Sequence, residues 1–416
     1  MVMDLCSSQL REVRASAKQP TTEGCTISGC GDSFRTRLEI VWNSKKMLAL
    51  NNTNDTSVLL DAFRAAAAQM VCVGHGLVFF QVGSAARPPH LPLMQNIGVL
   101  LFFLMSGFLI TATLVRRSSD PDYTFARYFV DRFSRIYSGL VPALAFVVVV
   151  DGLTIWLTAE PTILRYYDLS TLLASLAMLP GYHGIYDQSY LQWSAFGSAS
   201  PLWTLGIEWQ IYMFAGAAFF IITRRGLWLL LFLPLAFFGQ TPLHYLAGSL
   251  QNDGVGAGLF SLWLAGASTF LLLNRFKIPP LLSATAAVLG MSAYCLSVVP
   301  GNEYAMSTYP PLALAFSGLI ALSQRTAMVR SSRPVRLVAD FSFTLYLIHY
   351  SLMTSVHFIF PQSGGWVAFI VVIIAANLAA WLIARFCEMK HKKLAEWIST
   401  RLHRAGRNFT RRAGLA

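Results

Sequence analysis

Arg64 and His75 are two ionisable residues in the first long apolar run of the sequence, eleven positions apart. At about 100° per residue, eleven positions make close to three helical turns, so both side chains lie on nearly one face, roughly 16 Å apart along the axis. A charged group in a membrane-spanning helix is costly and by default marks a pathway or a site. Local explanations stay open: Arg64 could pair with Asp61 or extend to the membrane surface, and His75 could serve helix packing.

Arg132 and Arg135 are a second pair of candidates, and they share a helical face just where the chain enters the membrane. Two guanidinium groups in this arrangement can grip a phosphate group with paired hydrogen bonds. A role in setting the membrane topology would explain the same two residues. The pair therefore predicts either a cytoplasmic site for a phosphate-bearing molecule or a topology signal.

Later apolar runs carry further polar residues. Glu208 is an acidic residue well inside its run, and a buried carboxylate needs a partner. Tyr346 and His349 lie in another run, where a histidine can also be structural. Ser106 precedes Gly107, and small residues of this kind let helices approach closely, so packing is a sufficient explanation of them.

The composition places the chain among membrane proteins. Of its 416 residues, 55% are hydrophobic and 12% are charged, whereas about 25% of the residues of a soluble domain are charged. Repeated apolar runs of about 18 residues or more predict an all-α membrane protein, a polytopic bundle of about ten transmembrane helices. The predicted spans are 58–82, 93–115, 138–158, 201–222, 226–241, 256–273, 278–299, 309–324, 340–360 and 365–386. A shorter apolar piece at 170–180 is predicted to be re-entrant or interfacial.

Three segments and an orientation follow from the distribution of polar residues. We expect residues 1–56 to be a poorly ordered extension, residues 57–390 to be the ten-span membrane domain and residues 391–416 to be a basic cytoplasmic tail. Lys and Arg concentrate in alternate loops, one of which holds 127–136. The positive-inside rule therefore places both termini in the cytoplasm.

Several function classes find no support. The net charge of +12 could indicate a nucleic-acid binder, but the Lys and Arg residues lie between apolar runs and in the tail, and no nucleic-acid module is visible. The six cysteines show no spacing typical of a disulfide framework or of a metal site.

Together these residues resemble the acyltransferase family 3 membrane proteins, which acylate, most often acetylate, sugars of bacterial surface glycans and some secreted metabolites. The resemblance covers roughly residues 58–390, with its motifs in the family's order. The matching motifs are Asp61-x-x-Arg64 followed by His75, Phe102-Phe103-x-x-Ser106-Gly107-Phe108-Leu109-Ile110, Arg132-x-x-Arg135-Ile136, Trp203-Thr204-Leu205-x-x-Glu208-x-x-x-Tyr212 and Ser342-Phe343-Thr344-Leu345-Tyr346-Leu347-x-His349. The sequence departs from the family at the end of the last span, where Glu388-Met389-Lys390 replaces the common Glu-x-Pro and leaves the end of that helix open.

The resemblance implies an enzyme of the bacterial inner membrane that uses acetyl-CoA or another acyl-CoA as co-substrate and needs no metal. The acyl group would reach a hydroxyl of a carbohydrate acceptor, a lipid-linked or exported glycan, on the outer side. The oligomeric state stays open. His75 would be the general base or a transient acyl carrier, and Glu208 would orient it, polarise it or bind acceptor hydroxyls.

The resemblance also implies how the donor and the pocket are held. Arg132 and Arg135 would bind the CoA phosphates, and Arg64 would lie near the pantetheine or phosphate end. The residues that would line the substrate pocket are Ser106, Tyr346 and His349.

Two alternative functions, neither of them acyl transfer, also agree with these residues. A proton-coupled transporter of small molecules or glycans could also use intramembrane Arg, Glu and His residues. A non-catalytic partner in glycan export is the second. The cytoplasmic arginine pair beside the Arg64–His75 face favours a phosphate-bearing co-substrate and hence the acyltransferase.

Overall fold

The computed structural model describes residues 55–83, 92–180, 194–224, 258–324, 333–362 and 364–412. The described helices belong to one compact unit, Lys46–Ala416. They are α1 (Asp55–Phe79), α2 (Met94–Arg117), α3 (Phe125–Thr158), α4 (Pro161–Leu164), α5 (Leu169–Leu176), α6 (Leu202–Arg224), α7 (Leu259–Arg275), α8 (Pro280–Ser297), α9 (Tyr309–Ser323), α10 (Arg333–Ala339), α11 (Ser342–Ile359), α12 (Trp366–Phe386) and α13 (His391–Arg412). Short 3₁₀ turns, Met306–Thr308 and Glu388–Lys390, precede α9 and α13.

The prediction of an all-α membrane protein is confirmed. Within the described ranges, seven helical segments are long and apolar enough to cross a membrane, and they involve α1, α2, α3, α6, α8, α9 and α12. The predicted fifth span, 226–241, lies outside the described residues, as does most of the predicted extension.

One predicted boundary is wrong. Residues 127–136 were expected in a loop, but α3 begins at Phe125 and continues without a break to Thr158. Thr124 caps this helix, because its side-chain oxygen accepts a hydrogen bond from the backbone N–H of Arg127 at 3.4 Å. The charged residues of 127–135 lower the local hydropathy but do not lower the tendency to form a helix, so hydropathy alone placed the start too late. The apolar piece at 170–180 contains the short helix α5.

Helix α11 combines a polar sequence with deep burial. It has 18 residues, and Ser342, Thr344, His349, Ser351 and Thr354 are among those that are buried. The helix packs against α1, α3 and α12, so its polar side chains face protein rather than lipid. Interior positions of this kind are where polar groups of a membrane bundle are tolerated and where they usually serve a function.

Helices α1 and α11 run in the same direction. The ring of His75 lies 5.2 Å from that of His349, and four residues later along α1 the ring of Phe79 lies 5.9 Å from that of His357. Later residues of α1 thus meet later residues of α11. The two helices therefore run parallel where the two histidines meet.

Helices α2 and α7 cross through a pair of glycines. A Cβ atom built on Gly107 would lie 1.8 Å from the carbonyl oxygen of Trp263, and one on Gly266 would lie 2.0 Å from that of Leu104. Both distances are far below van der Waals contact. The prediction that Gly107 allows close helix approach is confirmed, and Gly266 is the matching residue on the opposite helix.

We expect Gly266→Val to lower the melting temperature of the purified protein in detergent, because the new side chain would force α2 and α7 apart at a cost of about 1–3 kcal/mol or more. Gly364→Ala is the control, since the nearest atom to its added Cβ would be the Phe80 carbonyl oxygen at 3.9 Å. An unchanged melting temperature for Gly266→Val would contradict the close crossing.

Candidate active site

Three guanidinium groups line one cavity of about 150 Å³. Arg64 comes from α1, whereas Arg132 and Arg135 come from the first part of α3. The remaining lining residues are Phe102, Met105, Ser106, Leu109, Ile110, Ile136, Glu208, Tyr212, Ser342 and Phe343. Residues from five helices thus enclose a space with positive charge on one part of its wall and the Glu208 carboxylate on another.

The three arginines differ in their partners. An oxygen of Asp61 lies 3.4 Å from Arg64, so the pairing expected from their spacing is present. Arg135 pairs with Glu388 at 3.1 Å. Arg132, by contrast, has a buried Nε with no hydrogen-bond partner among the described residues. Because no carboxylate pairs with Arg132 among the described residues, Arg132 is the guanidinium best prepared to bind an anion in this cavity.

Glu208 is held by a chain of hydrogen bonds. The indole N–H of Trp263 donates to Ser106 Oγ at 3.2 Å, and the Ser106 hydroxyl donates to Tyr212 Oη at 3.0 Å. The Tyr212 hydroxyl then donates to the Glu208 carboxylate. All three donors point toward Glu208, which therefore has the partner that a buried carboxylate requires.

A second cavity of about 40 Å³ lies beside the first. The two share Phe102, Glu208 and Phe343, and the second is also lined by Thr204 and Tyr346. The hydroxyls of Thr204 and Tyr346 are hydrogen-bonded at 2.5 Å. The other lining residues, Val99, Phe103 and Leu205, are apolar, so a mostly apolar space with a few hydroxyl groups leads away from the arginines along α6 and α11.

His75 and His349 form a direct pair beyond Tyr346. The Nδ1 atom of His75 lies 2.9 Å from Nε2 of His349, and the rings are close to parallel, with an angle of 18° between them. The Tyr346 ring centroid lies 6.1 Å from that of His349. Tyr350 meets His75 edge-on at 5.1 Å. His349 is fully buried and His75 is half-buried, so of the two imidazoles His75 is the more accessible to a substrate.

The structure brings the predicted residues together in two groups. Five of them line the first cavity, and Tyr346 lines the second. His75 and His349 form the pair beyond it. The hydrogen-bond partner of His75 is His349, whereas Glu208 bonds to Tyr212, so the contact expected to orient His75 is made by the second histidine. In the described part of the chain, no three metal-type side chains lie close enough to hold an ion.

Comparison with known proteins identifies the family. The acyltransferase 3 family, described as an acyltransferase domain, matches residues 58–385. The chain belongs to this family.

One curated relative of this acyltransferase is named "Putative peptidoglycan O-acetyltransferase YrhL", from Bacillus subtilis (strain 168). It is 27% identical over 290 residues, which are 62% of this chain and 44% of the relative. The acyltransferase thus aligns with less than half of that relative's length. No solved structure matches the chain.

Glu388 is a residue of the acyltransferase that sequence reasoning missed as part of the site. Its side chain is 0% exposed, and its second oxygen accepts hydrogen bonds from the backbone N–H and the hydroxyl of Thr344, at 3.1 and 2.7 Å. Helix α12 ends at Phe386, and the following 3₁₀ turn directs Glu388 inward. The available signal was an acidic residue directly after an apolar run, whereas Glu208 was identified inside one.

We expect Glu388→Gln to lower the melting temperature markedly, because breaking a buried ion pair costs about 3–5 kcal/mol. The exposed Glu396 on α13 provides the control Glu396→Gln, which should leave the melting temperature unchanged. Equal effects of the two substitutions would show that the Arg135–Glu388 pair does not hold α3 and α12 together.

Proposed function

We propose that this acyltransferase transfers an acyl group, acetyl being the commonest in its family, from acyl-CoA to a hydroxyl of an exported or surface glycan. The observation that carries the proposal is the convergence of Arg64, Arg132 and Arg135 on one cavity. Family membership supports acyl transfer, and the name of the Bacillus relative supports a glycan acceptor such as peptidoglycan.

The arginine cavity fits the phosphate groups of CoA. Arginine guanidinium groups bind phosphate through paired, charge-assisted hydrogen bonds. Arg132 has no carboxylate partner among the described residues, and Arg135 is fixed by Glu388, so little ordering is needed when a phosphate binds. On this proposal the arginine end of the bundle faces the cytoplasm, where CoA is made, and both chain termini lie on that side of the bacterial inner membrane.

His75 would carry the chemistry in one of two ways. As general base it would take the proton of the acceptor hydroxyl while that oxygen attacks the thioester carbonyl; the C–S bond then breaks, and the imidazolium returns the proton to the CoA thiolate. As nucleophile it would attack the thioester carbonyl; the C–S bond breaks, the CoA thiolate takes up the proton that the ring loses, and an acyl-imidazole remains. The acceptor hydroxyl would then attack this acyl group, and its proton would return to the imidazole as the C–N bond breaks.

We expect His75→Ala to lower acyl transfer by at least about 10²–10⁴-fold, because the reaction loses its base or nucleophile. The O-acetyl content of total surface glycan, measured by mass spectrometry in cells that express each variant, reads this out without knowledge of the acceptor. His357→Ala, an exposed histidine on α11, is the matched control. Retained acetylation with His75→Ala would refute the assignment.

The same variants separate the two mechanisms and the rival transporter. Purified protein is mixed with radiolabelled acetyl-CoA in the absence of acceptor and then denatured. Label bound to wild type but not to His75→Ala would indicate an acyl-histidine, whereas an active enzyme without bound label would indicate a base. A transporter would neither bind acetyl-CoA nor alter glycan acetylation.

We expect Arg132→Ala and Arg135→Ala each to weaken acetyl-CoA binding by about tenfold or more, because each loses a charge-assisted hydrogen bond worth about 1.5–3 kcal/mol. Calorimetric titration measures the dissociation constants. Arg127→Ala on the same helix is the control, since Arg127 is exposed and does not line the cavity. If the two variants impair only membrane insertion and the inserted protein binds acetyl-CoA normally, the arginines set topology instead.

A further inference from the structure

The hydrogen bonds of the histidine pair determine which nitrogen atoms carry protons. Nδ1 of His349 lies 2.9 Å from the backbone carbonyl oxygen of Leu345, one helical turn earlier. A carbonyl oxygen can only accept, so this nitrogen must carry a proton and donate. A neutral imidazole has a single N–H group, and Nε2 of His349 is therefore an acceptor.

The acceptor nitrogen of His349 determines which nitrogen of His75 carries the proton. Nδ1 of His75 lies 2.9 Å from Nε2 of His349, so it must donate its proton there. The remaining nitrogen of His75, Nε2, then carries a lone pair. The Leu345 carbonyl oxygen sets the direction of both hydrogen bonds, because a backbone carbonyl can accept a hydrogen bond but cannot donate one.

We propose that His349 is a positioning residue that holds His75 in the tautomer with a proton on Nδ1 and a lone pair on Nε2. This rests on the proposed function of His75, because either a general base or a nucleophile needs a free lone pair facing its substrate. Without an acceptor at Nδ1, His75 would divide between two tautomers, and only one of them would present Nε2 for reaction.

The environment of His349 suits this role rather than direct contact with substrate. Its side chain is 0% exposed. The groups that face the pair are aromatic: Tyr346 lies 6.1 Å from the His349 ring and Tyr350 lies 5.1 Å from the His75 ring, measured between centroids. Among the described residues, neither imidazole has a carboxylate as hydrogen-bond or ion-pair partner. A second imidazole thus takes the place that a carboxylate occupies beside many catalytic histidines.

The pair can also accommodate charge during the reaction. When Nε2 of His75 takes up the proton of an acceptor hydroxyl, the ring becomes an imidazolium that still donates from Nδ1 to His349. A hydrogen bond from a charged donor is stronger than one from a neutral donor. His349 would therefore hold His75 in place before proton transfer and bind it more strongly afterwards.

The test compares His349→Gln with His349→Leu. A glutamine amide oxygen can accept from Nδ1 of His75, whereas leucine fills a similar volume and accepts nothing. We expect His349→Leu to reduce cellular glycan O-acetylation and the rate of acetyl transfer about 10²-fold or more, with substantial recovery in His349→Gln. His357→Leu, on the same helix, is the control and should leave both unchanged.

A spectroscopic measurement reads the tautomer directly. Protein labelled with ¹⁵N-histidine is reconstituted in lipid, and the signals of His75 are identified by their loss in His75→Ala. We expect a protonated Nδ1 and an unprotonated Nε2 in wild type and in His349→Gln, and a mixture of tautomers in His349→Leu. The same tautomer in all three proteins would overturn the proposal, and so would equal activity of the leucine and glutamine variants at equal melting temperature.

The two readouts keep this proposal separate from the proposed function. If His75→Ala retains acetyl transfer, the catalytic assignment fails whatever the tautomer is. If His75→Ala is inactive and His349→Leu is fully active, His75 is catalytic and the positioning role of His349 is wrong.

Discussion

A polar group inside a membrane bundle must find its partner within the protein, because lipid offers none. This constraint accounts for the interior of the acyltransferase. Glu208 is satisfied by a chain of three donors, Glu388 by Thr344 and Arg135, and the two histidines by each other and by a backbone carbonyl. Each network joins at least two helices, so the groups that support the chemistry also fix how the helices pack.

The same constraint makes the exceptions informative. Arg132 lines a cavity large enough to hold part of a ligand, and among the described residues no carboxylate pairs with it. A phosphate group in the cavity would supply Arg132 with an anionic partner at the point where two other guanidinium groups converge. Arg135, by contrast, already has the Glu388 carboxylate as an ion-pair partner without a ligand.

The sequence predicted the bounds of several helices accurately, but it did not predict which residues of different helices would be in contact. Apolar runs gave the bounds of α2, α11 and α12 to within two residues, because length and hydropathy are local properties. The start of α3 was missed, since its first turns are charged. The spacing of Arg64 and His75 on one helical face could be derived from α1 alone.

The pairing of His75 with His349 could not be derived in this way. It depends on α1 and α11 running parallel in one particular register, and hydrophobic patterns do not specify the register between two helices that are both buried. Glu388 was missed for a related reason. Its role requires the chain to bend at Cys387, and the sequence gives no clear signal for that turn.

The parallel arrangement of α1 and α11 also bears on how a donor could be used. Because α1 is continuous, Arg64 and His75 are held roughly 16 Å apart along the axis, and no domain closure can shorten that distance. On the proposed function, the phosphates of acyl-CoA stay at the arginines, and its flexible arm must extend past Glu208 and Tyr346 to bring the thioester to the imidazole. The length of the acyl donor then determines which donors can react, since the thioester of a shorter carrier bound at the same arginines would not reach His75. A glycan acceptor, in turn, needs to reach only the half-buried face of His75 and never has to approach the arginine cavity.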